Sequence, residues 1–188
     1  MYARIVDFGG PDQPDRDKAQ VNWLIIHLRR LGFSVELDDS MVQPTKHACG
    51  AVAALAAARL SEADWRSADV SVAVRPNIIS NAAVSWLNLG LRAGDACPPL
   101  SASQVAKLYR FFMHVRIQSR GQNGRNGALF SVLTIDKLWR LVEMDACLMV
   151  DDGPLPFASR VCVCNTEMSG MTGSHWFAVA YSVKYSLK

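Results

Sequence analysis

A glutamine and a cysteine stand six residues apart where a helix is predicted to begin. The stretch QPTKHACGAVAALAAARL runs from Gln43 to Leu60 and places Cys49 and Gly50 at the start of an alanine-rich segment. The positive end of a helix dipole and a neighbouring imidazolium both stabilise a thiolate, which is the nucleophilic form of cysteine. A glutamine amide upstream can donate a hydrogen bond to the oxyanion that forms when a thiolate attacks a carbonyl group. We therefore expect Cys49 to be a nucleophile and Gln43 to be an oxyanion donor.

Four histidines could supply the base for this thiol. His27 and His114 lie inside predicted amphipathic helices, where a structural role is the expectation. His47 is two residues from Cys49, but an extended approach would point it away, which favours a solvated or substrate-facing position. His175 opens an apolar strand after a Gly- and Ser-containing loop and is followed by Trp176. A rigid strand end positions a side chain at a cleft, so His175 is the expected base.

The remaining cysteines indicate no disulfide scaffold and no metal site. The five cysteines are an odd number and are scattered, which is typical of a reducing compartment, here the cytoplasm or nucleus. Cys162 and Cys164 alternate with valines on a predicted strand, so both should be core residues, while Cys97 and Cys147 have no base nearby in sequence. There is no CxxC pair and no His-rich ligand set, so we expect neither zinc nor any other cofactor.

The length, charge and composition of the chain exclude several classes of protein. The chain of 188 residues predicts a single domain, 1–188, and its net charge of +3 with no basic run argues against nucleic-acid binding. The opening MYARIVDFGGPDQPDR has acids and prolines where a signal peptide needs a long apolar stretch. The longest apolar runs are shorter than a membrane span. We expect a monomer that needs no membrane.

The hydrophobic pattern predicts an α+β fold with a mostly antiparallel sheet and flanking helices. Ser101 and Gln104 form a capping-box pair before one helix, and SRGQNGRNGA (119–128) is typical of a surface loop. The expected strands are 3–8, 33–37, 159–165 and 175–183, and the expected helices are 16–31, 49–60, 101–115 and 134–143.

Taken together, these motifs resemble the ubiquitin-like-protein proteases and the adenovirus maturation protease (peptidase clan CE). QPTKHACG is similar to the Gln-x5-Cys-Gly box of that family, and VCVCNTEMSGMTGSHWFAVAY (161–181) is similar to its strand, loop, His-Trp and second strand. The Asn-Thr that opens the loop resembles the viral branch. VSWLN (84–88) resembles, more weakly, a Trp-Leu-Asn segment near the family's usual N-terminus.

The order of the motifs differs from that family, in which the histidine and the acid precede the glutamine and the cysteine. Here Cys49 precedes His175, and no Asp or Glu follows the histidine. If Lys188 is joined to Met1, Asp7 falls 20 positions after His175, at the end of a strand, and every motif comes into the family's order. The resemblance thus implies a circularly permuted papain-like or adenain-like fold, which is structurally easy when the ends of the chain are close together.

Two alternatives remain open for the third catalytic residue. A Cys-first Josephin-type deubiquitinase also carries Gln, Cys-Gly and His-Trp, and Asn165 could then replace the acid if its loop folded back. Asp7 could equally cap the Gly9-Gly10 turn, a common position for aspartate. The permuted arrangement predicts instead that Asp7 lies within hydrogen-bond reach of a His175 ring nitrogen and that Met1 and Lys188 are neighbours at one edge of the sheet.

The resemblance implies a cysteine protease acting on ubiquitin or a ubiquitin-like modifier. It assigns Cys49 as nucleophile, His175 as base and Asp7 as the orienting acid, with Gln43 and the Cys49 backbone N–H as oxyanion donors. The substrate-binding residues it implies are Trp176, Gly50, Trp86 and Asn165. The alternatives are a viral-type maturation protease that cleaves polyprotein precursors and, outside enzymes, a ubiquitin-binding module that has lost catalysis.

Overall fold

A computed structural model describes residues 1–10, 13–45, 47–75, 87, 98–120, 129–147, 158–167 and 175–183, with the side chains of 116–120 left out. Trp86, Cys97, Lys188 and most of the expected loop 119–128 lie outside the described residues. The described strands are β1 (Tyr2–Val6), β2 (Ser34–Asp38), β3 (Leu129–Thr134), β4 (Arg160–Asn165) and β5 (Trp176–Ser182). The described α-helices are α1 (Asp15–Arg30), α2 (Cys49–Leu60), α3 (Ala102–Arg120) and α4 (Ile135–Cys147), and a 3₁₀ turn spans Ser71–Val74.

The fold is α+β, and its five described strands form one mixed sheet in the order β2-β1-β5-β4-β3. β5 lies in the middle and runs antiparallel to β1 and β4, whereas the outer pairs β1–β2 and β3–β4 are parallel. The expectation of a mostly antiparallel sheet was therefore wrong. The reason is that α1 joins β1 to β2 and α4 joins β3 to β4, and a helical crossover brings the chain back to start the next strand in the same direction.

Helices cover both faces of this sheet. One face packs against α1 and α4 through side chains that include Ile5, Phe177 and Tyr181, and the other packs against α2 and α3 through Val6, Val161 and Ala180. Residues of alternate positions on a strand point to opposite faces, so β1, β4 and β5 supply both cores, whereas the edge strand β2 supplies only the α1–α4 side. The two layers of helices hold the ends of the central strands in fixed positions.

Cys162 and Cys164 have the core positions that their spacing predicted. Both are fully buried on the α1–α4 side of the sheet. Burial raises the pKa of Cys162 to about 12 and raises the pKa of Cys164 well above the ordinary value. A thiol held in its neutral form is a poor nucleophile, so neither competes for the role expected of Cys49.

Helix α2 is buried along its whole length and packs against β5 and α3. Its alanines are small, which lets the sheet approach the helix backbone closely. The capping box is also present, since the Ser101 backbone N–H donates to the Gln104 Oε1 at 2.8 Å and the Gln104 N–H donates to the Ser101 Oγ at 3.3 Å.

One strand was not expected, and two helices extend further than expected. β3 was not predicted, α3 continues to Arg120 rather than ending near Val115, and α4 continues to Cys147. Gly32, with φ of 96°, ends α1 as expected. Among the described residues, no helix combines the length and the apolar character that crossing a membrane requires.

Candidate functional site

The sheet brings three element ends together. Asp7 directly follows β1, His175 directly precedes β5, and Cys49 is the first residue of α2. Because β1 and β5 are antiparallel neighbours with Val6 opposite Ala178, the end of β1 lies beside the start of β5. The three side chains that the sequence singled out therefore meet where a helix begins against a sheet.

His175 and Asp7 form a buried pair. The His175 Nε2 is hydrogen-bonded to the Asp7 Oδ1, and the two residues are only 4% and 8% exposed. The Asp7 backbone N–H donates to the Asp38 carbonyl at 2.9 Å, which extends the β1–β2 ladder and fixes the carboxylate. The contact predicted by the permuted order is present, and Asp7 does more than cap the turn that follows it.

Cys49 lies on the other side of the same imidazole. Its thiol is close enough to the His175 ring to help raise the pKa of that imidazole. Since Asp7 engages Nε2, Nδ1 is the ring nitrogen left for the thiol. Cys49 is 7% exposed at the first position of α2, where the helix dipole is positive. The preceding residue, Ala48, has no side-chain acceptor for the first N–H groups of the helix. An imidazole and a helix N-terminus thus act on one sulfur atom.

The electrostatics favour a charged imidazole. Burial lowers the pKa of His175, but its hydrogen bonds with Asp7 and Cys49, and the negative charge of each partner, outweigh burial and raise the pKa to about 9. The ring therefore holds its second proton at neutral pH. An imidazolium beside a thiol stabilises the thiolate, so the site suits nucleophilic attack by sulfur.

Gln43 lies against the turn that follows Asp7. Its backbone N–H donates to the Gly9 carbonyl at 3.3 Å. A Cβ atom at Gly10 would lie 3.0 Å from the Gln43 Nε2, so the amide rests on the Gly10 backbone. The Gln43 Oε1 is buried and has no hydrogen-bond partner among the described residues. The glutamine is thus tied to the turn that bears the acid.

Two of the expected substrate-binding residues contact each other. A Cβ atom at Gly50 would lie 3.3 Å from the Trp176 Cδ1 and 3.2 Å from both Leu100 Cβ and Val105 Cγ2. Gly50 therefore allows the half-buried Trp176 to pack on the first turn of α2, directly beside Cys49. Trp86, the weakest of the expected site residues, lies outside the described residues.

Asn165 ends β4, and its side chain is bonded to the backbone that follows rather than to the histidine ring. It pairs with Trp176 in the β4–β5 register, and its Oδ1 accepts a hydrogen bond from the Glu167 N–H at 3.0 Å. The His175 Nε2, which an orienting side chain must reach, is engaged by Asp7. The geometry thus favours Asp7 over Asn165 as the third residue.

Sequence reasoning missed a support behind His175. The Thr166 N–H donates to the His175 carbonyl at 3.0 Å, and the Thr166 Oγ1 donates to the Asp17 Oδ1 at 2.7 Å. Thr166 and Asp17 are both fully buried, which is costly for a carboxylate without partners. The available signals were the Asn-Thr pair at the end of β4 and an aspartate in the first turn of α1. Together they fix the backbone of the histidine.

The other histidines lie elsewhere. The His27 Nδ1 is hydrogen-bonded to the Trp23 carbonyl at 2.8 Å, and its ring lies 4.2 Å from the Trp23 ring, consistent with the expected structural role. His47 is exposed, with φ of 67°, and His114 is exposed on α3. Of the four histidines, His175 is the one whose pKa is raised by the thiol of Cys49.

Cysteine, histidine and aspartate are also metal ligands. Within the described ranges, however, no group of three or more His, Cys, Asp or Glu side chains is arranged to hold a metal ion. Comparison of the chain with protein-family models, with curated proteins and with solved structures found no match. The functional conclusion therefore depends on the geometry of Cys49, His175, Asp7 and Gln43.

Proposed function

We propose that this protein is a cysteine protease in which Cys49, His175 and Asp7 form the catalytic triad. The observation that supports it is that one buried imidazole is hydrogen-bonded to a carboxylate and interacts with a thiol at a helix N-terminus. A nucleophile, a base and a third group that orients the base are the parts that covalent acyl transfer requires.

The mechanism follows from these positions. The Cys49 sulfur attacks the scissile carbonyl carbon, a C–S bond forms, and the carbonyl oxygen takes the negative charge. The Gln43 amide and the Cys49 backbone N–H donate hydrogen bonds to that oxyanion. His175 then donates its proton to the leaving amine, the C–N bond breaks, and a thioester remains. Water attacks the thioester while His175 accepts a proton, which releases the acid and restores Cys49.

Asp7 has a separate part in this scheme. Bound to Nε2, it holds the imidazole in the orientation that faces Nδ1 toward sulfur, and it stabilises the charged ring. Removal of the carboxylate would leave the nucleophile and base in place but would free the ring to rotate. Activity should then fall without loss of the fold.

The strand arrangement supports the proposal of a permuted clan CE protease with a papain-like or adenain-like fold. β1 and β5 are adjacent and antiparallel, with Tyr2 opposite Ser182, so joining the ends of these two strands would make a hairpin. In that permuted order the strand with the histidine runs into the strand with the acid. The glutamine and the cysteine helix follow.

The proposed substrate is ubiquitin or a ubiquitin-like modifier joined to lysine. Support comes from the tight contact of Trp176 with Gly50 beside the nucleophile, which suits a tail of small residues. A viral-type processing protease would use the same triad on Gly-containing linear sites. The two differ in whether a folded modifier is needed.

A panel of modifiers with an electrophile in place of the terminal glycine carboxylate tests this function. We expect at least one to form an adduct on Cys49, detected by intact mass and peptide mapping, and Cys49→Ala to form none. Cleavage of linear Gly-containing peptides without any adduct would favour the processing protease. Tight modifier binding with neither adduct nor cleavage would contradict the enzyme proposal and favour a binding module.

A further inference from the structure

Position 10 requires a glycine because a neighbouring side chain occupies the space, and not because of its backbone conformation. Among the described glycines only Gly32 has a positive φ, so the conformation of Gly10 is one that other residues adopt. The obstacle to a side chain is Gln43, since a Cβ atom at Gly10 would lie 3.0 Å from Nε2, 3.6 Å from Cδ and 3.7 Å from Cγ. The missing side chain makes the room in which the amide rests.

The amide has few other restraints of its own. Its oxygen is buried without a hydrogen-bond partner among the described residues, so contact with Gly10 limits where the amide can lie. The backbone around it is fixed by two hydrogen bonds, from the Gln43 N–H to the Gly9 carbonyl at 3.3 Å and from the Gln13 N–H to the Gly10 carbonyl at 3.1 Å. The surface under the amide is thus rigid.

The same turn bears the acid. Asp7 is three residues before Gly10 and is bonded to His175. One short segment therefore contacts both the imidazole and the amide, which belong to opposite sides of the reacting carbonyl in the proposed mechanism.

We propose that Gly10 is a positioning residue that sets the Gln43 amide for oxyanion binding, an inference that rests on the proposed function. Any larger side chain at this position displaces the amide by a few tenths of an ångström or more. The displaced group is the far end of a flexible side chain, so the cost falls on transition-state stabilisation rather than on the fold.

The test is Gly10→Ala with steady-state kinetics on the substrate found by the probe panel. Loss of one oxyanion donor costs about 10²- to 10³-fold in kcat, so Gln43→Ala should show a loss of that size. Displacement of the donor should cost about ten- to a hundredfold. KM and Tm should stay close to the parent values, because the amide acts only on the charge that develops in the transition state.

A double-mutant cycle separates this effect from a general disturbance of the turn. If Gly10 acts through Gln43, then Gly10→Ala should cause no further loss in the Gln43→Ala background. Alkylation of Cys49 by iodoacetamide forms no oxyanion, so its rate should be unchanged in Gly10→Ala. Full kcat in Gly10→Ala beside a large loss in Gln43→Ala would overturn the inference, as would losses that simply multiply.

A spectroscopic readout keeps this test independent of turnover. The Gln43 side-chain amide resonances, assigned by their absence in Gln43→Ala, should shift in Gly10→Ala while the resonances of α1 do not. Unshifted resonances would contradict the positioning role even in an active enzyme. Shifted resonances in a protein that reacts with no probe would instead place the failure in the proposed function.

Discussion

The two ends of β5 carry two acid-centred clusters of different character. At the start of the strand, Asp7 is hydrogen-bonded to His175, which also interacts with Cys49. Near its end, the Tyr181 hydroxyl donates to the Asp145 Oδ2 at 2.7 Å, and Arg160 donates to both oxygens of the same carboxylate at 2.6 and 3.0 Å.

The difference lies in whether a cluster holds a proton that it can transfer to a reacting group. Burial raises the pKa of Asp145, but the hydrogen bonds from Arg160 and Tyr181 outweigh burial and lower it. The hydrogen bond to Asp145 raises the pKa of Arg160, while burial and the same carboxylate raise that of Tyr181. In the Asp145 cluster, the pKa of each group is therefore moved further from neutral pH.

The other cluster contains an imidazole, which ordinarily titrates near neutral pH, and the thiol of Cys49, which is the proposed nucleophile. The pKa of His175, about 9, keeps a proton on the ring across the neutral range, where it is available for transfer. We infer that the Asp145 cluster stabilises the fold, whereas the His175 cluster performs chemistry.

The largest effect should come from Cys49→Ala. Loss of the nucleophile should reduce kcat by about 10⁶-fold, which for most substrates means no measurable turnover. The fold should persist, because the change removes one sulfur atom at a helix end, and circular dichroism with thermal unfolding checks this. Turnover that survives in Cys49→Ala, or that disappears in Cys162→Ala, would break the assignment.

Asp7→Asn and Asp145→Asn form a matched pair for the comparison. Asp7→Asn should lower kcat by up to about 10⁴-fold while the protein stays folded, since the imidazole loses its orientation and its charge partner. Asp145→Asn should lower the free energy of unfolding by about 1–3 kcal/mol and leave kcat at the parent value. Steady-state kinetics and urea unfolding of both variants test this prediction. Equal losses of kcat in Asp7→Asn and Asp145→Asn would contradict the distinction between the two clusters.

The stability of the protein should depend on the proton of His175. Its pKa in the folded state, about 9, exceeds its ordinary value of 6.5, so the folded protein binds this proton more tightly than the unfolded chain. This contribution is fully present below about pH 6.5 and is lost as pH rises through about 9. Urea unfolding from pH 6 to 10 should show that loss in the parent and not in His175→Gln.

The pH dependence of activity should show a decline in the same range as that of stability. In the proposed mechanism His175 donates a proton to the leaving amine, so kcat/KM should decline above about pH 9. A profile that keeps rising beyond that pH would contradict the role of His175 as the proton donor.

The smallest effect should come from Tyr181→Phe. The change removes one hydroxyl donor from Asp145 and leaves the ring in the core, so the cost should be about 1 kcal/mol of stability. Turnover should not change, because the hydroxyl lies at the far end of β5 from His175. A fall in kcat that exceeds the fall in stability would show that the two clusters are coupled.

The residues of the proposed triad were predictable because each lies at the end of an element. Cys49 begins a helix, His175 precedes a strand and Asp7 follows one, and such positions can be read from local pattern. The pairing of β1 with β5 was predicted by the resemblance, which required the acid to follow the histidine in a permuted order.

The rest depends on contacts between residues that are distant in sequence. The parallel pair β1–β2 was missed because its direction depends on the crossover through α1, and the pair β3–β4 was missed because β3 itself was not predicted. Gly10 reads as a turn glycine until Gln43 is seen against it. The contact of Thr166 with Asp17 joins residues 149 positions apart, and neither residue alone predicts it.

The most direct test of the triad is the rate at which iodoacetamide alkylates Cys49 at neutral pH, compared with the exposed Cys147. An ordinary thiol is only a few per cent thiolate at neutral pH, so a thiolate stabilised by an imidazolium should react on the order of tenfold faster despite burial. Peptide mapping after brief labelling measures both rates in one sample. We predict that Cys49 reacts faster and that His175→Ala removes this advantage. Faster labelling of Cys147 in the parent, or an unchanged Cys49 rate in His175→Ala, would contradict the proposed site.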